Sequence, residues 1–595
     1  MTAEFVIGID LGTTNSVLAY APLEFEDPAI NLLDIPQLVA SQTIESFPSL
    51  PSFMYLGTGE DVEGGVLDLP WKSGADFAVG RFANKQSADQ PQRTVGAAKS
   101  WLCHSKVDRH QAILPWNAPE EIPKVSPVTA SRKYLEHLVA AWHAAFPDAL
   151  MSDQHVVLTV PASFDASARE LTREAALAAG LPTNLVLLEE PQAATYAWLT
   201  ASGGHWRTSL STNDRLLVCD VGGGTTDLTL VDVTEEEGNL ALQRRAVGNH
   251  LLVGGDNMDL AVAHYVAGLF AEKGTKLDAW QSVSLWHACR RAKEALLAED
   301  GPETHTVSVL GRGRKLIGGT VSVEVPKQAV IDLLVDGFFA ACNLTDKPAR
   351  QRASGFQEIG LPYEADTAVT RHVAAFLERE SDGAGDAPTH VLFNGGVFKS
   401  NRLRTAMLER LQSWFPDAPP NVLEGDHDLD YAVSRGAAYY GWAKQRGGVR
   451  IRGGTARSYY VGIETAGLAI PGMPRPLRAL CVVAAGMEEG TEMSVPSGEV
   501  GLIVGEPVGF RFFSSSSRKD DVPGTQVDNW EPDEIVETDS LETTLTVDEG
   551  TDDEYLPVKF RSKITELGVF ELWCVHEESG KEWKLEFSVR DDAEV

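Results

Sequence analysis

The first apolar run of the chain, about Glu4 to Asp10, carries hydrophobic residues on both faces, as a strand does in the middle of a sheet. Gly12-Thr13-Thr14-Asn15 interrupts it, and Ser16-Val17-Leu18-Ala19-Tyr20 resumes the strand pattern, so the pair predicts a β-hairpin. The same pattern returns later. Leu216 to Asp220 reads as a strand, Val221-Gly222-Gly223-Gly224-Thr225-Thr226 as a turn, and Asp227 to Val231 as a second strand. Aligning the two Asp-x-Gly turns suggests an internal duplication, with two similar lobes presenting their Gly-rich turns to each other across a cleft. Between the hairpins the period changes to that of a helix. Asp165 can cap a helix over Ala166–Ala179, with Ala168, Leu171, Ala175 and Ala178 on one stripe and Gly180-Leu181-Pro182 as its stop. Further helices are predicted from Leu285 to Leu297, Asn401 to Trp414 and Tyr431 to Lys444.

After Gln445 the helical pattern ends. Arg446 to Gly454 is rich in Gly and Arg, so residues 446–457 read as a linker between an α/β region, residues 1–445, and a β-rich, sandwich-like region, residues 458–595. The latter offers short strands at Leu480–Ala484, Gly501–Val504, Phe510–Phe513, Val558–Ile564, Phe570–His576 and Trp583–Val589. Within it, residues 520–554 hold many Asp and Glu and no Lys or Arg. They are expected to form a solvated loop rather than a docking tail.

Composition narrows the function. A formal charge of -34 over 595 residues repels phosphate backbones and anionic membranes, so neither nucleic acid nor a membrane is an expected partner. The six cysteines are scattered singly, without a C-x-x-C pair, which argues against a zinc knuckle or a redox motif. The start of the chain lacks the pattern of a signal peptide, and no apolar run approaches the roughly 20 residues of a membrane span; the expected location is the cytoplasm.

The turns carry the chemistry. Gly12 allows close approach of backbone to an anion. Successive N–H groups and the hydroxyls of Thr13 and Thr14, with Asn15, can cradle phosphate oxygens. Asp10, at the end of its strand, can hold magnesium, usually through water. An ordinary hairpin turn would show the same residues once; their repetition at Asp220 to Thr225 favours phosphate binding.

These motifs also resemble those of the heat-shock protein 70 family. Ile7-Gly8-Ile9-Asp10-Leu11-Gly12-Thr13-Thr14-Asn15-Ser16 is similar to its first phosphate motif, and Asp220-Val221-Gly222-Gly223-Gly224-Thr225-Thr226-Asp227 to its second. Thr159 to Asp165, Arg169, Glu190-Pro191, Val253-Gly254-Gly255-Asp256, Asn394-Gly395-Gly396 and Asp430 to Ala438 follow in the family's order. The resemblance implies two actin-like lobes that bind and hydrolyse ATP, with ADP as product and Mg2+ as cofactor. It implies that Asp10, Asp220 and Asp227 surround the metal and the attacking water. Glu190 would lie near that water, coupled through Pro161 and Arg169 to the other domain. Thr225 would face the γ-phosphate, and Lys99 would neutralise its charge. Nucleotide contacts would come from Gly12 to Asn15, Gly222 to Gly224, Gly254, Gly255, Asp256, Lys293, Gly395, Gly396, Lys399 and Asp430. The β-rich region would bind unfolded or extended polypeptide segments, with J-domain and nucleotide-exchange partners.

Departures from the family's pattern are concentrated in two places. Arg290 stands where the family has an acidic residue, Glu294 where a basic residue stacks on adenine, and Leu297 where a Ser contacts the ribose region; Lys293 is retained. The family's apolar interdomain segment is replaced by Val449-Arg450-Ile451-Arg452, whose docking by apolar burial is expected to be weak. The family's helical lid is expected to be missing. A chaperone-like ATPase is the favoured reading. The alternatives are a nucleotide-gated scaffold with little ATPase activity, docking one partner, and a small-molecule kinase on the same two-lobed fold.

Overall fold

The computed structural model describes residues 3–587, apart from 26–28, 105, 117, 204, 237–238, 311–319, 350–360, 362, 381–386, 424–427, 447–450, 453, 456, 465–475, 489, 499, 504–506, 533, 539, 545–554 and 566–569. Phe5–Leu11 is a central strand: it pairs in parallel with His155–Val160 on one side and antiparallel with Asn15–Pro22 on the other. Val186–Glu189 extends the parallel side and Asn31–Leu32 the antiparallel side. A second sheet repeats this order. Arg215–Val221 pairs in parallel with His390–Asn394 and antiparallel with Thr226–Glu236, and Asn421–Val422 and Asn239–Val247 extend the two sides. Two copies of one topology, each centred on a Gly-turn hairpin, make the two-lobed, actin-like architecture, followed by a β-rich C-terminal region.

The helices Glu190–Ala201 and Ala432–Arg446 join the two lobes through one core. Val157 and Leu188 of the first sheet, Tyr196 and Ala437 of the helices, and Val218 and Leu392 of the second sheet all belong to it. The helices cross closely because Gly436 has no side chain: a Cβ there would lie 1.7 Å from the Ala193 carbonyl oxygen. The helix capped by Asp165 runs from Ala166 to Ala178, with the Asp165 carboxylate accepting from the Ala168 N–H at 2.8 Å. Gly180 follows at φ +95°. The helix expected to begin at Leu285 begins at Ala279. Asp278 and Gln281 cap each other reciprocally, which sets the start at Ala279.

The C-terminal strands form two sheets that share a core containing Tyr459, Leu480, Val558, Phe560 and Leu572. The expected strand Phe510–Phe513 is two strands. Pro507–Phe510 pairs with Leu541–Thr544 in one sheet, and Phe512–Ser515 pairs with Ser458–Glu464 in the other. Changing sheets at Arg511 lets Phe510 and Phe512 both enter the shared core, while Phe513 packs in a separate cluster with Ile535 and Tyr460.

The acidic stretch is not simply a solvated loop. It contains the strands Gln526–Val527, Val536–Glu537 and Leu541–Thr544, and residues 545–554 lie outside the described residues. The cations that neutralise it lie earlier in the chain: Arg518 reaches Asp521 at 2.7 Å and Glu534 at 2.6 Å, and Arg478 reaches Asp528 at 2.6 Å. The stretch expected to be a linker contributes Ile451–Arg452 as a parallel strand beside Leu242 and Gln243 at the edge of the second sheet. Docking there is by backbone pairing. The β-rich region meets the lobes at Ala166, which joins its core, at the Lys519–Glu380 ion pair, and through Ser516, which donates to Asn249 at 3.3 Å.

Candidate active site

The two Gly-rich turns touch. A Cβ on Gly223 would lie 2.0 Å from Thr14 Oγ1, and one on Gly224 would lie 2.9 Å from Thr13 Cγ2, so only glycine lets the lobes approach this closely. The first turn is braced by Ser52, whose hydroxyl donates to the Gly12 carbonyl at 2.7 Å. The second turn is bracketed by the third glycine pair: the Gly255 and Asp256 N–H groups donate to the Gly222 and Gly223 carbonyls at 3.0 and 2.7 Å. Gly395 has φ +87°, and a Cβ there would come within 2.3 Å of the Val221 carbonyl oxygen. Its loop can follow the second turn only as glycine.

Between the turns lies a cavity of about 610 Å³, within the range of small-molecule sites. Gly12, Thr13, Thr14, Asn15, Gly222, Gly223, Thr225 and Gly255 line its centre, together with Asp10, Lys99, Glu190 and Asp220. Gly395, Gly396, Lys293, Lys399, Asp256 and Asp430 line its far end. Gly224 and Gly254 support the turns without lining the cavity, and Asp227 sits behind it.

Register places the carboxylates. Asp10 stands opposite Thr159, and Asp220 opposite both Asn394 and Asp227, at the carboxyl ends of the parallel strands, where open α/β sheets bind ligands. Lys99, on the short helix Ala98–Leu102, is buried rather than on the surface and forms an ion pair with Glu190. One lysine faces a surplus of carboxylates, and the charges are strained accordingly. Burial, then repulsion from Glu190, pushes Asp10 up to about 7 and Asp220 up to about 8. Burial also raises Glu190 and Asp227. For Lys99, burial acts against the charge, but Glu190 and Asp10 outweigh it and the net shift is upward. The Asn394 amide donates to Asp220 at 2.6 Å, and the Ser163 hydroxyl to Asp227 at 2.6 Å.

Arg169 does not reach Glu190. It pairs with the adjacent Glu189 at 2.7 Å, and Glu189 also pairs with Arg244, so the contact ends one residue short of the cavity. At the far end, Arg290 lines the pocket with its guanidinium paired to Asp256 and, at 2.6 Å, to Asp259, and Lys293 lies 2.7 Å from Asp259. Lys399 pairs with Asp430. Glu294 and Leu297 line the pocket beside them.

Sequence reading missed Asp259, Asn394 as a partner of Asp220, Ser52, Ser163 and His250. Asp259 had a signal, since it lies one helical turn after Asp256 and one turn shares a face. Ser52 and His250 had none, because their contacts are long-range.

Residues 71–315 match the family model described as Hsp70 protein. Two curated relatives, each named chaperone protein HscA homolog, come from two strains of Acinetobacter baumannii. Each is 26% identical over 60% of this chain and 51% of its own length. The chain thus spans about half the length of the curated relatives it matches. Among the described residues, no helix is long and apolar enough to cross a membrane. Over residues 71–315 the chain is thus similar to the Hsp70 family, and the duplicated lobes and facing glycine turns accompany that likeness.

Proposed function

We propose that the chain binds ATP between its lobes and hydrolyses it slowly to ADP and phosphate, as the nucleotide switch of a chaperone. The facing of the two glycine turns over the Lys99–Glu190 pair carries this reading. The backbone N–H groups of the turns and the Thr13 and Thr14 hydroxyls bind the phosphates. Lys99 and the Thr225 hydroxyl meet the charge that develops on the transferred phosphoryl group, and Glu190 orients water. Phosphoryl transfer needs positioning and charge neutralisation more than covalent chemistry, and these groups supply both.

The residues fit a divalent cation. Four carboxylates, Asp220 and Asp227 buried and Asp10 and Glu190 half-buried, gather against one lysine, and a cation would relieve their repulsion. Among the described residues no three such side chains converge closely enough to ligate a metal directly. Asp10 and Asp220 would therefore hold Mg2+ through water, as this ion prefers. When bound, it would neutralise phosphate oxygens.

At the far end of the cavity, Lys293, Lys399 and Glu294 would meet the nucleoside. Arg290 and Lys293, both paired with Asp259, would face the ribose side. The β-rich region would take extended polypeptide segments, and J-domain and exchange partners would act on the cycle.

ATP and ADP binding with Mg2+, and single-turnover hydrolysis by the wild type and Thr225→Ala, test the reading. The expected outcome is binding by both proteins, with hydrolysis lowered about 100-fold or more in the variant. No adenine-nucleotide binding by the wild type would refute it.

A further inference from the structure

A hydrogen-bonded chain runs behind the carboxylate cluster, on the side away from the cavity. Ser163, just past the strand His155–Val160, is 3% exposed. Its hydroxyl donates to Asp227 Oδ1 at 2.6 Å, and its Oγ lies 2.7 Å from His250 Nδ1. A serine hydroxyl has one proton, and here Asp227 receives it. The second contact therefore requires His250 Nδ1–H to donate to Ser163 Oγ. That assigns the tautomer: Nδ1 carries the proton and Nε2 a lone pair. Nε2 is buried with no hydrogen-bond partner among the described residues, and a bare lone pair is less costly there than an orphaned N–H. The ring packs edge-on against Phe164 at 5.7 Å. Burial, and then the neighbouring Arg457 and Lys99, push the imidazole down to about 4, so it stays neutral. Both donors of the chain point toward Asp227.

We propose that His250 is a positioning residue for Asp227, acting through Ser163, and that the docked β-rich region holds this chain in register. The inference rests on the ATPase reading of the site. The second half follows from where the ends of the chain lie. Arg457, just before the first strand of the β-rich region, donates to the Ser163 carbonyl at 3.4 Å. Ser516 of the same region donates to Asn249, the neighbour of His250, at 3.3 Å. Ser163 belongs to the first lobe, and Asp227 and His250 to the second. The chain therefore spans both lobes, and the β-rich region touches each end of it.

The full-length chain supplies the test, in single-turnover ATP hydrolysis and in the proton spectrum of protein labelled with nitrogen-15 at histidine. Ser163→Ala and His250→Ala should each slow hydrolysis about 10- to 100-fold while ATP affinity stays near wild type. The double variant should be no slower than Ser163→Ala alone, because the two residues act in series. His250→Asn, whose amide N–H can replace Nδ1–H, should stay within about threefold of wild type. Arg457→Ala should slow hydrolysis in the same direction, and less. In the spectrum, the His250 Nδ1–H resonance should vanish in Ser163→Ala and move in Asp227→Asn. If His250→Ala hydrolyses ATP at the wild-type rate, or His250→Asn behaves no better than His250→Ala, the positioning role is overturned. If the resonance ignores Asp227→Asn, the chain itself is refuted, whatever the turnover. A wild type that hydrolyses nothing sinks the ATPase reading separately, and the spectrum still decides the chain.

Discussion

Asp10 and Asp220 ionise against resistance, and this sets a pH dependence. Burial and repulsion from Glu190 raise them from 3.8 to about 7 and about 8. The folded state then holds protons that the unfolded chain has lost, so stability falls as pH rises from 3.8 through about 8. Glu189 has the opposite sign: burial opposes its charge, but Arg244 and Arg169 outweigh it and lower the carboxyl, so its contribution is lost in acid. Bound at this cluster, Mg2+ with ADP would favour the ionised carboxylates and so release protons. Melting curves at about pH 5 and about pH 9 should show the larger stabilisation by Mg2+–ADP at the higher pH. An equal shift at both would mean that these carboxylates do not sense the metal.

At the scale of elements, the site is a contact between two turns, and its tolerance is set by backbone. Gly223→Ala would place a methyl group 2.0 Å from Thr14 Oγ1, forcing the lobes apart. ATP affinity measured by titration should fall about 10-fold or more, roughly 1.4 kcal/mol. Adding Thr14→Ala should recover part of the loss, since the clash is with that side chain. No recovery would mean that the turn itself, rather than the approach of the lobes, had been damaged. The hairpins and the helix Ala166–Ala178 were legible because each is specified locally, by apolar run, turn glycine and cap. The break at Arg511 was not, because alternation along Phe510 to Phe513 reads the same whether the chain keeps its sheet or changes it.

For the whole molecule, the described contacts between the β-rich region and the lobes are mostly polar. Glu380 is nearly buried and pairs with Lys519 and Arg379. Lys519→Glu sets two carboxylates against each other and should loosen docking. Limited proteolysis between residues 446 and 458 should then become faster, while Lys519→Gln has a smaller effect. An unchanged cleavage rate would place the docking energy elsewhere, in the Ala166 contact or in the pairing of Ile451–Arg452.

The sequence by itself determined the duplication, the two Gly-rich turns, the α/β character of the first part and the β-rich character of the rest. Each depends on residues adjacent in the chain. Tertiary structure alone decided the charge state of the cluster, because burial and the surplus of carboxylates over Lys99 arise only when strands distant in sequence converge. It also decided that Arg169 meets Glu189 rather than Glu190, that Asp259 pairs with Arg290 in the pocket wall, and that His250 stands behind Asp227. In each case the side chain is visible in the sequence, but its partner is fixed by how separate elements of the chain pack together.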